Sequence, residues 1–245
     1  MAQPVRFHAT VERLTRHTPD VVTFWLRSDK RLPAFAPGQF IHLTVDPYEP
    51  AGFWPESRVF SVANGVADRL TVELTISRQG GYTSRILDGL QPGDRVWAKG
   101  PYGDFTIGAA EGVRRAVLIA GGTGITPFCS FMDAALNRGT QSLEQVVLHY
   151  GARTADLLIY RALADACAAR VPGFRVHYHA ETGPLMDSSV RHGRLDPQDI
   201  VAGLGDIRET AFYLSGPKAM IDTFRSSLTG DCGVASERVL VDAWE

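Results

Sequence analysis

Val117-Leu118-Ile119-Ala120-Gly121-Gly122-Thr123-Gly124-Ile125-Thr126-Pro127-Phe128 passes from an apolar run through a glycine-rich turn into a helical pattern. The run is short, continuous and rich in branched side chains, which predicts a parallel strand buried on both faces. Gly121, Gly122 and Gly124 have no Cβ, so the turn can take positive φ and let a ligand approach the main chain closely. Thr126 is placed as an N-cap and Pro127 as the first helical residue, where a missing N–H leaves no bond unmade. The start of the helix then offers N–H groups and a positive dipole end to an anion, and a dinucleotide pyrophosphate suits both. The spacing is not Gly-x-Gly-x-x-Gly, and a glycine-rich turn also serves strand-to-helix packing.

Downstream, strands alternate with helical patterns: 116–120 then 127–137, 145–150 then 156–169, a strand over 175–179, and 211–214 then 217–228, with a last strand over 238–241. That punctuation predicts an open parallel sheet with helices on both faces. Upstream the pattern is different. Short β-rich segments over 5–11, 21–26, 40–45, 58–62, 70–77 and 95–98 are separated by Pro, Gly, Asn and Asp, and a helix is expected over 83–90. Leu70 to Ser77 alternates apolar and polar residues, as a half-buried antiparallel strand does. The expected architecture is an antiparallel Greek-key barrel over 1–110 followed by an α/β open parallel sheet over 111–245.

Composition sets limits on function. The 245 residues carry a formal net charge of −2 with mixed signs, which gives no hint of a nucleic-acid surface. No apolar stretch approaches the roughly 20 residues of a membrane span, and the first residues lack the apolar block of a secretory signal, so a soluble cytoplasmic protein is expected. The three cysteines, Cys129, Cys167 and Cys232, are too few for a four-cysteine iron–sulfur site. They are expected as small buried apolar residues. The histidines, including His42, His149, His177, His179 and His192, show no metal-ligand spacing, and no metal site is expected.

Three further stretches bear on chemistry. Arg58-Val59-Phe60-Ser61 sets a guanidinium, a ring and a hydroxyl on one predicted strand, a set that suits a planar heterocycle with a phosphate tail. The plain alternative is a core Phe between a surface Arg and Ser. Gly80-Gly81-Tyr82-Thr83-Ser84 precedes the first helical segment and is either a second anion cradle or a simple helix cap. Tyr213-Leu214-Ser215-Gly216-Pro217-Lys218-Ala219-Met220 repeats strand, turn and proline-started helix, with Ser215 at the carboxyl edge of the sheet, where ligands of such sheets bind.

Taken in order over nearly the whole chain, these residues resemble the ferredoxin-NADP reductase superfamily, the flavin-dependent pyridine-nucleotide reductases. Arg58 to Ser61 is similar to the family's Arg-x-Tyr-Ser flavin motif, and Gly80 to Ser84 to its flavin-phosphate turn. Gly100 to Phe105 is similar to the segment leaving the barrel, Gly121 to Phe128 to the nicotinamide-dinucleotide loop, and Ser215 to Met220 to the Cys-Gly-Pro motif. The resemblance implies FAD as cofactor and NAD(P)H as electron donor. Arg58 would hold the flavin phosphates, Phe60 would stack on the isoalloxazine and Ser61 would hydrogen-bond its N5. Val59 and the strand residues Thr75, Ile76 and Ser77 would line the flavin, and Gly81, Tyr82, Thr83 and Ser84 would take its pyrophosphate. Gly122, Thr123, Gly124, Thr126, Pro127, Arg153, Gly216, Pro217 and Met220 would contact the nicotinamide nucleotide. Ser215 would lie near the nicotinamide C4 and Trp244 by the flavin, with Asp242 or Glu245 as a proton relay; Ser61, Ser215 and Trp244 are the expected catalytic residues. Phe60 stands where the family usually has Tyr, and Ser215 where it often has Cys.

The function so implied is an NAD(P)H-dependent flavoprotein reductase. It passes hydride to FAD and then single electrons to a separate redox protein, such as a ferredoxin or an oxygenase component. A free-flavin reductase and a non-catalytic electron-transfer subunit are the alternatives. Arg153 and Arg194 favour the 2′-phosphate of NADPH by charge, whereas His179-Ala180-Glu181 has no arginine for it, which leaves the nicotinamide open.

Overall fold

The computed structural model describes residues 3–65, 67–108, 112–140, 142–184, 187–205 and 207–242. It divides into two compact units, Met1–Thr106 and Ile107–Glu245.

The first unit holds β1 (Val5–Thr18), β2 (Val21–Ser28), β3 (Phe40–Thr44), β4 (Arg58–Ser61), β5 (Thr71–Ser77), helix α1 (Gly81–Gly89) and β6 (Arg95–Tyr102). The six strands form one antiparallel sheet in the order β4-β3-β6-β1-β2-β5, which curls into a nearly closed barrel. The seam is bridged just past β4, where Ala63 N donates to Glu73 O at 2.9 Å. Inward side chains at period two, among them Phe7, Ala9, Val22, Phe24, Leu26, Val72, Leu74, Ile76, Val96 and Ala98, fill its core with Ile86 and Leu87 of α1. Each large one contributes roughly 1.5–3 kcal/mol by leaving water. β5 is more buried than its alternation predicts. Thr75 is turned to Thr23 on β2 and shares a 2.7 Å hydroxyl–hydroxyl bond with it, so a polar position is covered as well.

The second unit runs β7 (Arg115–Gly121), α2 (Thr126–Arg138), β8 (Gln145–Ala152), α3 (Arg161–Arg170), β9 (Phe174–Ala180), β10 (Val190–His192), α4 (Pro197–Ala202), β11 (Thr210–Ser215), α5 (Lys218–Thr229) and β12 (Val239–Val241). Its sheet is parallel throughout, in the order β10-β9-β8-β7-β11-β12. β7 is buried along its interior, as an apolar run without alternation requires. One face of the sheet packs Val117, Ile119, Phe212 and Leu214 under Ile221, Phe224 and Leu228 of α5 and Ile200 of α4. The chain leaves β7 toward β8 on one side and returns beside it as β11 on the other, so the strand order reverses between β7 and β11. Open sheets bind ligands outside the carboxyl ends of their strands at such a reversal.

Three expectations differ in detail. The helix expected over 156–169 is a 3₁₀ turn, Ala155–Leu157, and then α3, because Leu158 leaves helical geometry with ψ 56°. The helix expected from Pro217 begins at Lys218, with Pro217 as its extended N-cap. β10 and α4 were not anticipated. α4 is six residues long, too short for a period, although Asp196 caps it by accepting from Gln198 N at 2.8 Å and Asp199 N at 3.0 Å.

Candidate functional site

The barrel unit presents a cradle where β4 meets the start of α1. Across β3 and β4, Phe60 lies opposite Ile41 and Arg58 opposite Leu43, while Ser61 lies opposite Phe40. Facing residues project to one side of a sheet, so Arg58 and Phe60 share the side of the core residues Ile41 and Leu43. Phe60 accordingly packs partly on the barrel core, and Ser61 is buried. Val59 is half-buried. Arg58 is exposed, pairs with Glu56 at 2.7 Å and sets its guanidinium 4.7 Å from the Tyr82 ring centroid. Arg85 approaches the same ring at 5.4 Å and pairs with Asp46. Two cations therefore bracket the first turn of α1.

That turn divides its groups between fold and ligand. Thr83 Oγ1 accepts from Gln79 N at 2.8 Å and Gly80 N at 3.1 Å, so its hydroxyl closes the turn. Tyr82 is buried, and its hydroxyl donates to Glu56 O at 2.8 Å and accepts from Val45 N at 3.2 Å. What remains for a ligand is the first-turn N–H groups of α1, which have no intrahelical acceptor, and the half-buried Ser84. A Cβ built on Gly80 or Gly81 would meet nothing within 4 Å. Open space, outward N–H groups and two guanidiniums fit a diphosphate. Along β5, Ile76 turns its side chain to the barrel core, Thr75 is buried on the other face against Thr23, and Ser77 accepts from Gln79 Nε2 at 3.1 Å.

The sheet unit presents the second cradle. The helix does not begin with a Thr126 cap. Gly122–Ile125 forms a 3₁₀ turn that runs into α2, Ile125 stands at the boundary, and Thr126 Oγ1 donates back to Thr123 O at 3.0 Å. Pro127 lies in the first turn of α2, as expected. Only Gly122 of the three glycines has positive φ, +56°, with nothing within 4 Å of a Cβ placed there. Gly121 and Gly124 serve packing. A Cβ on Gly124 would lie 2.3 Å from Ser215 O and 2.5 Å from Gly216 N, and one on Gly121 would lie 2.7 Å from Met220 Sδ and 2.9 Å from Pro217 Cδ. The two turns that sequence analysis singled out in this unit thus interlock at the strand reversal.

Ser215 ends β11, is buried, and donates through Oγ to Asp242 Oδ2 at 3.1 Å. Asp242 is itself buried, and its N–H holds Leu214 O at 2.9 Å. Trp244 and Glu245 lie outside the described residues. At the carboxyl ends of β8 and β9, Arg153 is exposed and its carbonyl accepts from Thr182 N at 2.8 Å. Arg194 is paired with Glu181 at 3.0 Å. A cavity of about 370 Å³ beside them is lined by Thr154, Asp156, Arg161, Thr182, Gly183 and Asp187, among others.

His149 and His177 lie opposite each other on β8 and β9, with rings stacked 4.8 Å apart. Burial, then the charges of His177, His179 and Arg191, push the His149 pKa down to about 3. His177 and His179 are also lowered, mainly by burial. Among the described residues no group of three or more His, Cys, Asp or Glu is arranged to hold a metal. Cys129 and Cys167 are buried, and Cys232 is half-buried. No helix among the described residues is long and apolar enough to cross a membrane.

Comparison with known proteins follows the same division. Residues 8–107 match the family described as the oxidoreductase FAD-binding domain, and residues 118–226 that described as the oxidoreductase NAD-binding domain. Tetrachlorobenzoquinone reductase of Sphingobium chlorophenolicum is 31% identical over 245 residues, covering 98% of this chain and 68% of that protein. The ferredoxin–NAD(+) reductase component of the Xanthobacter autotrophicus alkene monooxygenase system is 31% identical over 211 residues, covering 85% of this chain and 61% of that protein. The crystal structure of the Amycolatopsis cytochrome P450 reductase GcoB superposes with a TM-score of 0.82 at 29% identity, covering 99% of this chain and 70% of that one. The chain thus spans about three fifths to two thirds of the curated relatives named here.

Proposed function

The chain belongs to the ferredoxin-NADP reductase superfamily, and from that premise we propose that it is an NAD(P)H-dependent flavoprotein reductase that delivers electrons to a separate redox protein, a ferredoxin or an oxygenase component. FAD, when bound, would supply the redox chemistry, hydride acceptance from the reduced nicotinamide and single-electron release.

The residues divide the remaining work. Arg58, Arg85 and the first-turn N–H groups of α1 bind the flavin diphosphate, Phe60 packs on the ring system and Ser61 bonds its edge. The Gly122–Gly124 turn and the start of α2 bind the nicotinamide dinucleotide. Ser215 orients the nicotinamide, and Asp242 steadies the Ser215 hydroxyl. Arg153, Thr182 and the cavity beside them receive the adenosine end. The observation that carries this reading is the open Gly80–Gly81 turn between two guanidiniums in the unit whose sequence matches FAD-binding domains. The relatives' names, a ferredoxin–NAD(+) reductase component and a P450 reductase, support a protein acceptor. The protein works in the cytoplasm, where reduced nicotinamide is available.

Glu181 favours NADH. A carboxylate at the end of β9, already paired with Arg194, repels a 2′-phosphate and can accept a hydrogen bond from a ribose hydroxyl. The test is steady-state turnover with both donors and a series of acceptors, after FAD loading and desalting. A yellow protein that oxidises NADH and reduces a protein acceptor meets the expectation. A protein that releases its flavin on desalting and reduces only free flavin contradicts it.

A further inference from the structure

One row across the outer face of the barrel is made of hydroxyls. Thr15 of β1 lies opposite Thr23 of β2, and Thr23 lies opposite Thr75 of β5. The bond from Ala63 N to Glu73 O continues the row across the seam, because the antiparallel register it sets brings Ser61 of β4 opposite Thr75. The sequence neighbours Phe24, Val62, Leu74 and Ile76 belong to the core, so Thr23, Thr75 and Ser61 share the outer face. All three are nevertheless buried.

This row has an outlet to water. Thr23 Oγ1 and Thr75 Oγ1 lie 2.7 Å apart, and His17 Nε2 lies 2.8 Å from Thr23 Oγ1. His17 reaches Thr23 from a bulge: with Arg16 opposite Val22 and Thr18 opposite Val21, it is the extra residue of β1. It is exposed, so the chain of groups runs from solvent to a buried hydroxyl opposite Ser61. Hydroxyls that face each other across strands are within reach of a hydrogen bond. Each can donate or accept, as can the imidazole in its two tautomers, and such a chain can carry a proton in either direction. The fold does not demand it, since an apolar pair of the same shape at positions 23 and 75 would hold β2 to β5 as well.

The charged groups of the surrounding elements are engaged elsewhere. Arg16 donates to Leu87 O of α1 at 2.9 Å, and Arg78, just past β5, pairs with Asp20 of the β1–β2 turn and with Asp88 of α1, both at 2.8 Å. Two residues along the same face, Arg13 lies over the Trp25 ring and Glu73 accepts from Trp25 Nε1 at 3.1 Å. Burial alone draws the His17 pKa below 6.5. At neutral pH the ring is therefore an uncharged proton acceptor at the water end of the chain.

We propose that His17, Thr23 and Thr75 relay the proton of the reaction between Ser61, at the flavin edge, and water. The inference rests on the reductase function proposed above. Oxidation of one NADH to NAD+ yields two electrons and one proton. The electrons leave singly to the acceptor, and the proton passes from Ser61 through the Thr75 and Thr23 hydroxyls to His17 Nε2, each hydroxyl giving up the proton it held as it takes the next. Thr23 and Thr75 act on the reaction only through Ser61.

The test follows reoxidation of the FAD-loaded protein by ferricyanide after reduction with one equivalent of NADH; two ferricyanide ions take the electrons and one proton is released. His17 is titrated by NMR in the same proteins, with and without FAD, a readout that needs no turnover. In the wild type the reoxidation rate is expected to fall as pH drops through the His17 pKa, because a protonated ring cannot accept, and the His17 ring resonances are expected to move on FAD loading. Thr23→Val is expected to slow reoxidation on the order of a hundredfold and to uncouple the His17 resonances from FAD. Thr23→Ser, which keeps the hydroxyl, is expected to restore both. His17→Gln, at an exposed position, keeps the fold and is expected to remove the pH dependence. Thr23→Val with the wild-type rate and pH profile, Thr23→Ser as slow as Thr23→Val, His17→Gln with the wild-type pH dependence, or His17 resonances indifferent to FAD would each overturn the relay. A wild-type flavin that stays oxidised with NADH overturns the reductase reading instead; light-driven reduction with EDTA then supplies the reduced protein, and the same reoxidation still reads the relay.

Discussion

The two glycine turns look alike in sequence and differ in what their glycines do. In the barrel unit, Gly80 and Gly81 border open space, and a side chain there would meet nothing within 4 Å. In the sheet unit, Gly121 and Gly124 are pressed against the turn from Ser215 to Met220, with the Met220 and Pro217 side chains where a Cβ on Gly121 would go and Ser215 and Gly216 main-chain atoms where one on Gly124 would go. The first pair leaves room for a ligand. The second lets two segments of the protein approach each other, and the ligand is left Gly122 and the N–H groups that follow. Glycine richness at a strand-to-helix turn therefore marks a close approach without saying whether the approaching atoms belong to a ligand or to the chain.

Substitution at the two turns should separate these roles. Gly124→Val places a branched side chain against Ser215 O and Gly216 N and forces the β7 and β11 turns apart. A loss of about 3 kcal/mol in denaturant unfolding of the sheet unit is expected, with a raised KM for NADH and bound flavin retained. Loss of flavin instead would show that the two cradles have been exchanged. Next in size is the acid response. His149, His177 and His179 all have folded pKa values below the ordinary 6.5, so the native state binds fewer protons than the unfolded one. Their contribution is complete above pH 6.5 and is lost as pH falls toward about 3, the His149 value. His149→Phe should flatten unfolding free energy against pH in that window by about 1.4 kcal/mol per pH unit for the proton removed. His8, His17 and His42 of the barrel unit are also lowered, mainly by burial, so the slope lost in His149→Phe, and not the order in which the units fail, is the readout.

Smaller effects follow at the ligand edges. Glu181→Gln should move the NADPH to NADH ratio of kcat/KM toward NADPH by about tenfold, roughly 1.4 kcal/mol. An unchanged ratio removes Glu181 from donor selection. Gly81→Ala has the least effect on the fold, a gain of up to about 1 kcal/mol from a stiffer unfolded chain, while the added methyl enters the diphosphate cradle and loosens FAD. Thermal unfolding of the apoprotein and flavin retention on desalting should move in opposite directions. If they fall together, Gly81 is a structural glycine like Gly124.

Much of the architecture was legible in the sequence because its signals are local. Alternation in β5 and the unbroken apolar run of β7 give strand type directly, and the change from one pattern to the other separates barrel from sheet. The site was legible as motifs, and less so as individual roles. Tyr82 and Thr83 fall within a cradle motif, yet their side chains are taken up by Glu56, Val45, Gln79 and Gly80. Thr126 has the chemistry of an N-cap, but a 3₁₀ turn precedes it and its hydroxyl bonds backward. The pairing of Ser215 with Asp242 spans 27 positions, and no local pattern announces it. Arg85 was missed as the second cation beside Tyr82 at the Gly80–Gly81 cradle; its place four residues past Gly81, on the first turns of the same helix, was the available signal.

The central claim is that the barrel cradle holds FAD and the sheet cradle delivers the reduced nicotinamide to it. Anaerobic rapid mixing of NADH with the FAD-loaded protein measures this most directly. The account predicts that flavin absorbance bleaches in a single turnover, with a rate that saturates in NADH for the wild type and requires more NADH in Gly124→Val. Flavin that stays oxidised in the presence of NADH, or that bleaches with the same NADH dependence in a folded Gly124→Val protein, would contradict it.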